Sequence, residues 1–177
     1  MSAADRPYNV LFLCTGNSAR SILGEALLNH IGAGRFRAFS AGSSPKGQVH
    51  PMALQILADA GIQNQGFRSK SWEEFAGPGA PQMDFVFTVC DNAAGETCPI
   101  WPGHPMTAHW GIEDPAAVTS PDFKQRQAFE DALRFMRNRI TAFVNLPLAG
   151  IDRMALGPKL HAIGALEGST SKAAGAA

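Results

Sequence analysis

The sequence predicts an α/β fold in which a parallel sheet is wrapped by helices, and three observations carry that reading. Short apolar runs of strand length alternate with helical stretches, two of those runs end at a cysteine, and glycine or proline marks most of the joints. The first run, "YNVLFLC" from Tyr8, is followed by "GEALLNHIGAG", with Ile22, Ala26, Leu27 and His30 at helical spacing and closure at Gly32 and Gly34. "RFRAFSAG" reads as the second strand, ended by a glycine turn. "VHPMALQILADAGI" then reads as an amphipathic helix with Pro51 in its first turn and Gly61 as its C-cap. A short helix is expected over "SKSWEEFA". The third strand, "MDFVFTVC", is apolar along its length, as parallel strands buried on both faces are. "MTAHWGI" supplies a short fourth strand, and "DFKQRQAFEDALRFMRNRITAFVNL" the longest helix, with Phe123, Phe129, Leu133, Met136, Ile140 and Val144 on one side. Gly157 and Pro158 interrupt "GIDRMALGPKLHAIGAL", which reads as a turn or two of packed helix, and "EGSTSKAAGAA" reads as a disordered tail. The expected organisation is a single domain over 1–146, an extension over 147–166 and a tail over 167–177.

A chain of 177 residues is long enough to bury roughly 70% of its unfolded surface in one core. Fifteen basic residues balance fifteen acidic ones, so no global field points to nucleic acid or to a membrane surface, and any anion site must be local. No apolar run approaches the ~20 residues that span a bilayer, and "MSAADRPYN" has no signal core, which predicts a cytoplasmic protein. Three cysteines in a reducing compartment read as free thiols, ligands or redox groups rather than staples.

The chemistry concentrates in "CTGNSARS", from Cys14 to Ser21. In a parallel sheet, function gathers at the carboxyl ends of the strands, and Cys14 closes the first strand just before a helix begins. A loop there can aim backbone N–H groups inward, and the helix N-terminus adds partial positive charge. Together they make a cradle for a tetrahedral oxyanion. Thr15, Gly16, Ser18 and Ala19 are small enough to keep it open. Asn17 and Ser18 can bond across the loop, and the Ser21 hydroxyl can point at Cys14. Arg20 supplies a bidentate fork for two oxygens of the anion. The same field predicts a depressed pKa for Cys14 and a nucleophile at neutral pH. The residues alone leave a plainer alternative, a buried strand cysteine followed by a surface arginine.

This stretch resembles the low-molecular-weight protein tyrosine phosphatase superfamily, and the likeness continues through "SAG" at Ser40 to Gly42 and "DP" at Asp114 and Pro115. The resemblance covers about residues 8 to 146. It implies a three-layer, flavodoxin-like (phosphotyrosine phosphatase I-like) fold with a four-stranded parallel sheet, and it makes Asp114 the general acid that protonates the departing oxygen. Two features depart from a plain phosphatase. After the "DP" the chain runs "DPAAV", without the aromatic wall that stacks a phosphotyrosine ring, and "VCDNAAGETCP" adds Cys90 and Cys98.

With those cysteines and "HWGIEDPA", the sequence is similar to the arsenate reductase branch of the superfamily. That resemblance implies attack of Cys14 on arsenate, attack of Cys90 on the Cys14 sulfur with release of arsenite, and attack of Cys98 on Cys90. The resulting Cys90–Cys98 disulfide would be reduced by an external dithiol, with thioredoxin or glutathione/glutaredoxin as donor and phosphate or sulfate as competing anions. A disulfide needs Cα atoms about 4.4–6.8 Å apart, whereas eight helical steps span about 12 Å, so a helix between the two must open or fold back. Some reductases of this type hold potassium behind the loop. Asn17, Glu25 and Ser40 match three of the positions, and Lys70 stands at the fourth, where its ammonium would replace the ion. No cofactor and no resident metal are expected. A zinc site from Cys90, Cys98, His104 and His109 fits no familiar spacing. The alternatives are a phosphatase working through a Cys14 phosphocysteine, and a non-catalytic oxyanion or redox sensor.

Overall fold

The computed structural model describes residues 6–63, 66–97 and 99–170. Four parallel strands, β1 (Tyr8–Cys14), β2 (Phe36–Gly42), β3 (Phe85–Thr88) and β4 (Met106–His109), lie in the order β2-β1-β3-β4. Cys14 pairs with Gly42 on one side of β1, and Leu13 pairs with Thr88 on the other. The chain therefore leaves β1 toward one edge, returns, and continues on the other side. That reversal opens a crevice between the carboxyl ends of β1 and β3, where α/β proteins bind their ligands.

Five α-helices accompany the sheet: α1 (Arg20–Ile31), α2 (Pro51–Asp59), α3 (Asp91–Gly95), α4 (Asp122–Val144) and α5 (Arg153–Gly164). Single turns of 3-10 helix occupy Trp72–Phe75 and Pro115–Ala117. The layers are unequal. On one face Val10, Phe12, Phe85 and Phe87 pack with α1, α2, α4 and α5 in the main core, where the Trp110 ring stacks on Phe87 at 3.8 Å. On the other, Leu11, Leu13 and Val86 meet Phe75, Met83 and Trp101 in a smaller cluster under the Trp72–Phe75 turn. The period-2 alternation of β1 feeds both clusters, so the strand reads as apolar throughout. Where α1 crosses β1, a Cβ on Gly24 would stand 2.7 Å from the Phe12 ring, so the close helix–strand contact requires glycine.

Three expectations change. Phe123, placed on the buried side of the longest helix, is 69% exposed; it lies in the first turn of α4, before the helix reaches the core at Phe129. The segment around Pro158 is a 12-residue helix rather than a turn or two, with Leu156, Leu160 and Ile163 in the main core. Proline costs it one backbone bond, and burial of that face offsets the loss. Residues 167–170, read as part of a disordered tail, form a strap: Ser169 pairs antiparallel with Ile112, and the Thr170 N–H donates to Gly111 O at 3.1 Å. Residues 171–177 lie outside the described residues.

Arg139 anchors this strap. The side chain is fully buried on α4 and donates to the carbonyls of Gly164, Leu166 and Glu167 at 3.0–3.3 Å, and to Phe135 within its own helix. Burial draws its pKa down to about 10, which still leaves it charged at neutral pH. Arg139→Met should leave three carbonyls beyond its own helix unanswered and cost about 2–4 kcal/mol. A urea melt should show a lower midpoint with an unchanged slope; an unchanged midpoint would contradict the clamp.

Candidate active site

Cys14 ends β1 at 5% exposure, and residues 15–19 wrap in front of it before α1 starts at Arg20. Among the described residues, the N–H groups of Thr15, Asn17, Ser18 and Ala19 meet no backbone or side-chain oxygen acceptor, and that of Gly16 points at the Cys14 sulfur. Buried amides are otherwise almost always paired. The turn needs a left-handed residue, and Asn17 supplies it at φ 44°. Its side chain braces the loop, donating to Ser21 Oγ at 2.8 Å and accepting from the Lys70 N–H at 2.9 Å. Ser21, expected to face Cys14, is thus a partner of Asn17. From the β2 side the loop 43–50 ties down the outward carbonyls, with Ser44 N–H on Thr15 O, Lys46 N–H on Gly16 O and His50 N–H on Ser18 O, at 2.9–3.0 Å. Every tie uses a carbonyl, so the amides stay free to face inward. Gly42 makes the approach possible, since a Cβ there would collide with Thr15 O and stand 3.0 Å from Cys14 O.

Arg20 reaches back across the crevice. Its Nη1 donates to Ile112 O at 3.0 Å, Nη2 lies 3.7 Å from Asp114 Oδ2, and Nε is buried without a partner. Asp114 caps the Pro115–Ala117 turn by accepting from the Ala116 N–H at 3.0 Å. Cys14, the loop, Arg20 and Asp114 line one cavity of about 180 Å³ together with Ser44, Lys46, Asn92 and Ala116. None of these is aromatic. Sequence reasoning missed Lys46, Ser44 and Asn92; the rule that loops after strand ends line the crevice points to the segments that carry them.

Cys90 was read as the end of the third strand. The strand stops at Thr88, and Cys90 instead caps α3, its Sγ accepting from the Ala93 N–H at 3.4 Å and lying 3.6 Å from Thr15 Oγ1. Cys90 lies beside Cys14, close enough for each thiol to shift the other's titration. Cys90 is drawn down to about 5, first by the bond with Cys14, then by the Ala93 N–H, Thr15 and Arg20, with burial opposing. Cys14 is pushed up, first by donating to Cys90 and then by burial, against the pull of Arg20 and the Gly16 N–H. Where the sequence predicts a depressed Cys14 by itself, the two thiols titrate together and share one negative charge. Cys98 lies outside the described residues.

Behind the loop, Lys70 is buried at 7% exposure, with Nζ 2.9 Å from Arg68 O, 3.3 Å from Ser40 Oγ and 3.5 Å from Asn17 Oδ1. Glu25 is its charge partner. Burial raises Glu25 and lowers Lys70, and their mutual attraction opposes both shifts. The four support residues Asn17, Glu25, Ser40 and Lys70 thus converge. An ammonium already among these oxygens leaves a potassium ion no fit there. His50, Trp72, Trp101 and Trp110 serve as a helix cap and as packing groups, and no cluster of three metal-binding side chains occurs among the described residues. No helix among them is long and apolar enough to cross a membrane.

A parallel sheet whose switch point holds a free amide nest, a cysteine and an arginine defines a cysteine-dependent oxyanion enzyme of the α/β class. The family model for low molecular weight phosphotyrosine protein phosphatase matches residues 9–145, and the chain belongs to that family. An arsenate reductase of Shouchella clausii is 30% identical over 134 residues, 76% of this chain and 93% of that protein. A solved arsenate reductase in a phosphate-binding state is 27% identical with a TM-score of 0.63, covering 77% of this chain and 96% of its own. A thioredoxin-dependent arsenate reductase of Corynebacterium glutamicum is 25% identical with a TM-score of 0.53, covering 78% of this chain and 64% of its own.

The charge of the sulfur pair can be read by alkylation. Iodoacetamide should modify Cys14 or Cys90 rapidly at neutral pH, with reactivity falling around pH 5 as the shared proton returns. A midpoint near that of an ordinary free thiol, at about 8.5, would contradict the pairing.

Proposed function

We propose that this chain reduces arsenate to arsenite, and the observation that carries the reading is a second thiol, Cys90, beside Cys14 at the floor of an oxyanion nest. Phosphoryl transfer needs a single thiolate and has no use for a second sulfur against it. Reduction needs a second sulfur to receive two oxidising equivalents. The cavity supports the same choice: it has room for a tetrahedral oxide and no ring to stack an aryl ester.

Arsenate enters against the loop amides and the free face of the Arg20 guanidinium, with Lys46 at the rim adding a second positive charge. Cys14 gives its proton to Cys90 and its sulfur attacks arsenic. Asp114, beside Arg20 and lining the cavity, protonates the oxygen that leaves as water. Cys90 then gives its proton to solvent water in the cavity and attacks the Cys14 sulfur. The S–As electron pair passes to arsenic, which leaves as arsenite, and the two sulfurs are joined. Cys98 next attacks Cys90, Cys14 departs as a thiolate, and an external dithiol reduces the Cys90–Cys98 disulfide. Thioredoxin suits this last step because the oxidised pair lies within one chain, and a reducing cytoplasm suits all three thiols. Lys70 serves in place of a loop-supporting cation.

The test is arsenate-dependent NADPH oxidation with the thioredoxin system, then with the glutathione/glutaredoxin system, in sodium and in potassium buffers. Wild type should turn over with thioredoxin at equal rates in both salts, and Cys90→Ser and Cys98→Ser should each lose at least 100-fold, the scale of a catalytic group. Full turnover in both serine variants would refute the relay, and a marked rise in potassium would refute the role of Lys70.

A further inference from the structure

The strap that follows α5 lies beyond the family match, yet it ends at the active site. Thr170 is 8% exposed, and its hydroxyl donates to Asp91 Oδ1 at 2.7 Å. Asp91 is the first residue of α3, immediately after Cys90. The same Oδ1 lies 2.7 Å from His109 Nε2, and the other ring nitrogen, Nδ1, is held by Thr88 Oγ1 at 2.8 Å and Thr88 O at 3.1 Å. Thus β3, β4, α3 and the strap meet at one carboxylate. Gly111 makes room for the meeting: a Cβ there would stand 2.5 Å from Thr170 Oγ1, 2.6 Å from His109 Nε2 and 2.9 Å from Asp91 Oδ1.

The strap reaches the anion side as well. Ser169 bridges Ile112, whose carbonyl holds Arg20, and Thr170 shares a second cavity with Arg20, Cys90, Asp91, Asn92 and Asp114. A helix of five residues has no cooperative stability of its own, so its first turn must be fixed from outside. Thr15 holds the segment from the loop side through Cys90 and Glu96, and Asp91 ties its first residue to β4 and the strap.

We propose that Thr170 is a positioning residue for Cys90: with His109 it latches the Asp91 carboxylate, holds the first turn of α3 closed, and keeps Cys90 against Cys14. The latch favours attack on the Cys14 sulfur and must release before Cys90 can exchange with Cys98. The second part rests on the arsenate-reducing reading; the first does not.

Full-length reduced wild type, Thr170→Val and Thr170→Ser should be compared by hydrogen exchange and by arsenate turnover. Valine keeps the shape and removes the donor, so amides of Ala93, Ala94 and Gly95 should exchange about tenfold faster, while β1 and α1 stay unchanged. The kcat for arsenate should fall several-fold at an unchanged KM, and serine should restore both. Unchanged exchange in Thr170→Val, acceleration spread over the whole sheet, unchanged kcat, or a serine variant that behaves as valine would each overturn the latch. If wild type itself gives no turnover with arsenate, the reading of the reaction fails, and the exchange comparison decides the latch alone.

Discussion

A ring of backbone N–H groups that meet no oxygen acceptor among the described residues is the constraint around which the molecule is arranged. Water or an anion must answer those donors, since leaving them buried and unpaired is costly. Forming the nest needs a chain that stops hydrogen bonding as a strand at Cys14 and starts again as a helix at Arg20, with no acceptor of its own in between. Asn17 in the left-handed region makes the turn, and Gly42 lets β2 support it at contact distance. The buried ammonium of Lys70 joins Asn17 to Ser40 behind the loop and braces it from the β2 side.

The topology converts that local arrangement into a two-sulfur site. Because β3 lies beside β1 on the side away from β2, the residues after β3 arrive over the carboxyl end of β1. Cys90 therefore meets Cys14 although 76 positions separate them. A cysteine at a helix cap receives an amide as an aspartate would, which favours the ionised form of the pair. In the proposed reaction one sulfur attacks while the other stores its proton, and the roles then exchange.

Much of this was legible in the sequence, for identifiable reasons. Strand β1 and helix α1 are dictated by an apolar run, a small-residue loop and a helical repeat, so the nest and the positions of Cys14 and Arg20 follow from local rules. The convergence of Asn17, Glu25, Ser40 and Lys70 was legible through family likeness. What escaped depends on long-range geometry. No periodicity announces that Cys90 leaves the strand to cap a helix, because Val89 continues the apolar run without forming part of β3. The titration of Cys14 was read from the loop field alone, without the Cys90 thiol that titrates with it. The strap was read as tail because "EGST" is polar and carries glycine; its order comes from Arg139, 28 positions upstream of Glu167, and from the Asp91 carboxylate. Phe123 was assigned to the core by spacing alone, although its helix has not yet met the sheet at that turn.

The most direct test of the account stops the relay halfway. Reduced Cys98→Ser, given arsenate and no external thiol, should release one arsenite per chain and accumulate a Cys14–Cys90 disulfide, seen by intact mass and by peptide mapping. Arsenite release without that bond, or a chain left fully reduced after exposure to arsenate, would contradict the claim that two neighbouring thiols beneath the amide nest carry out the reduction.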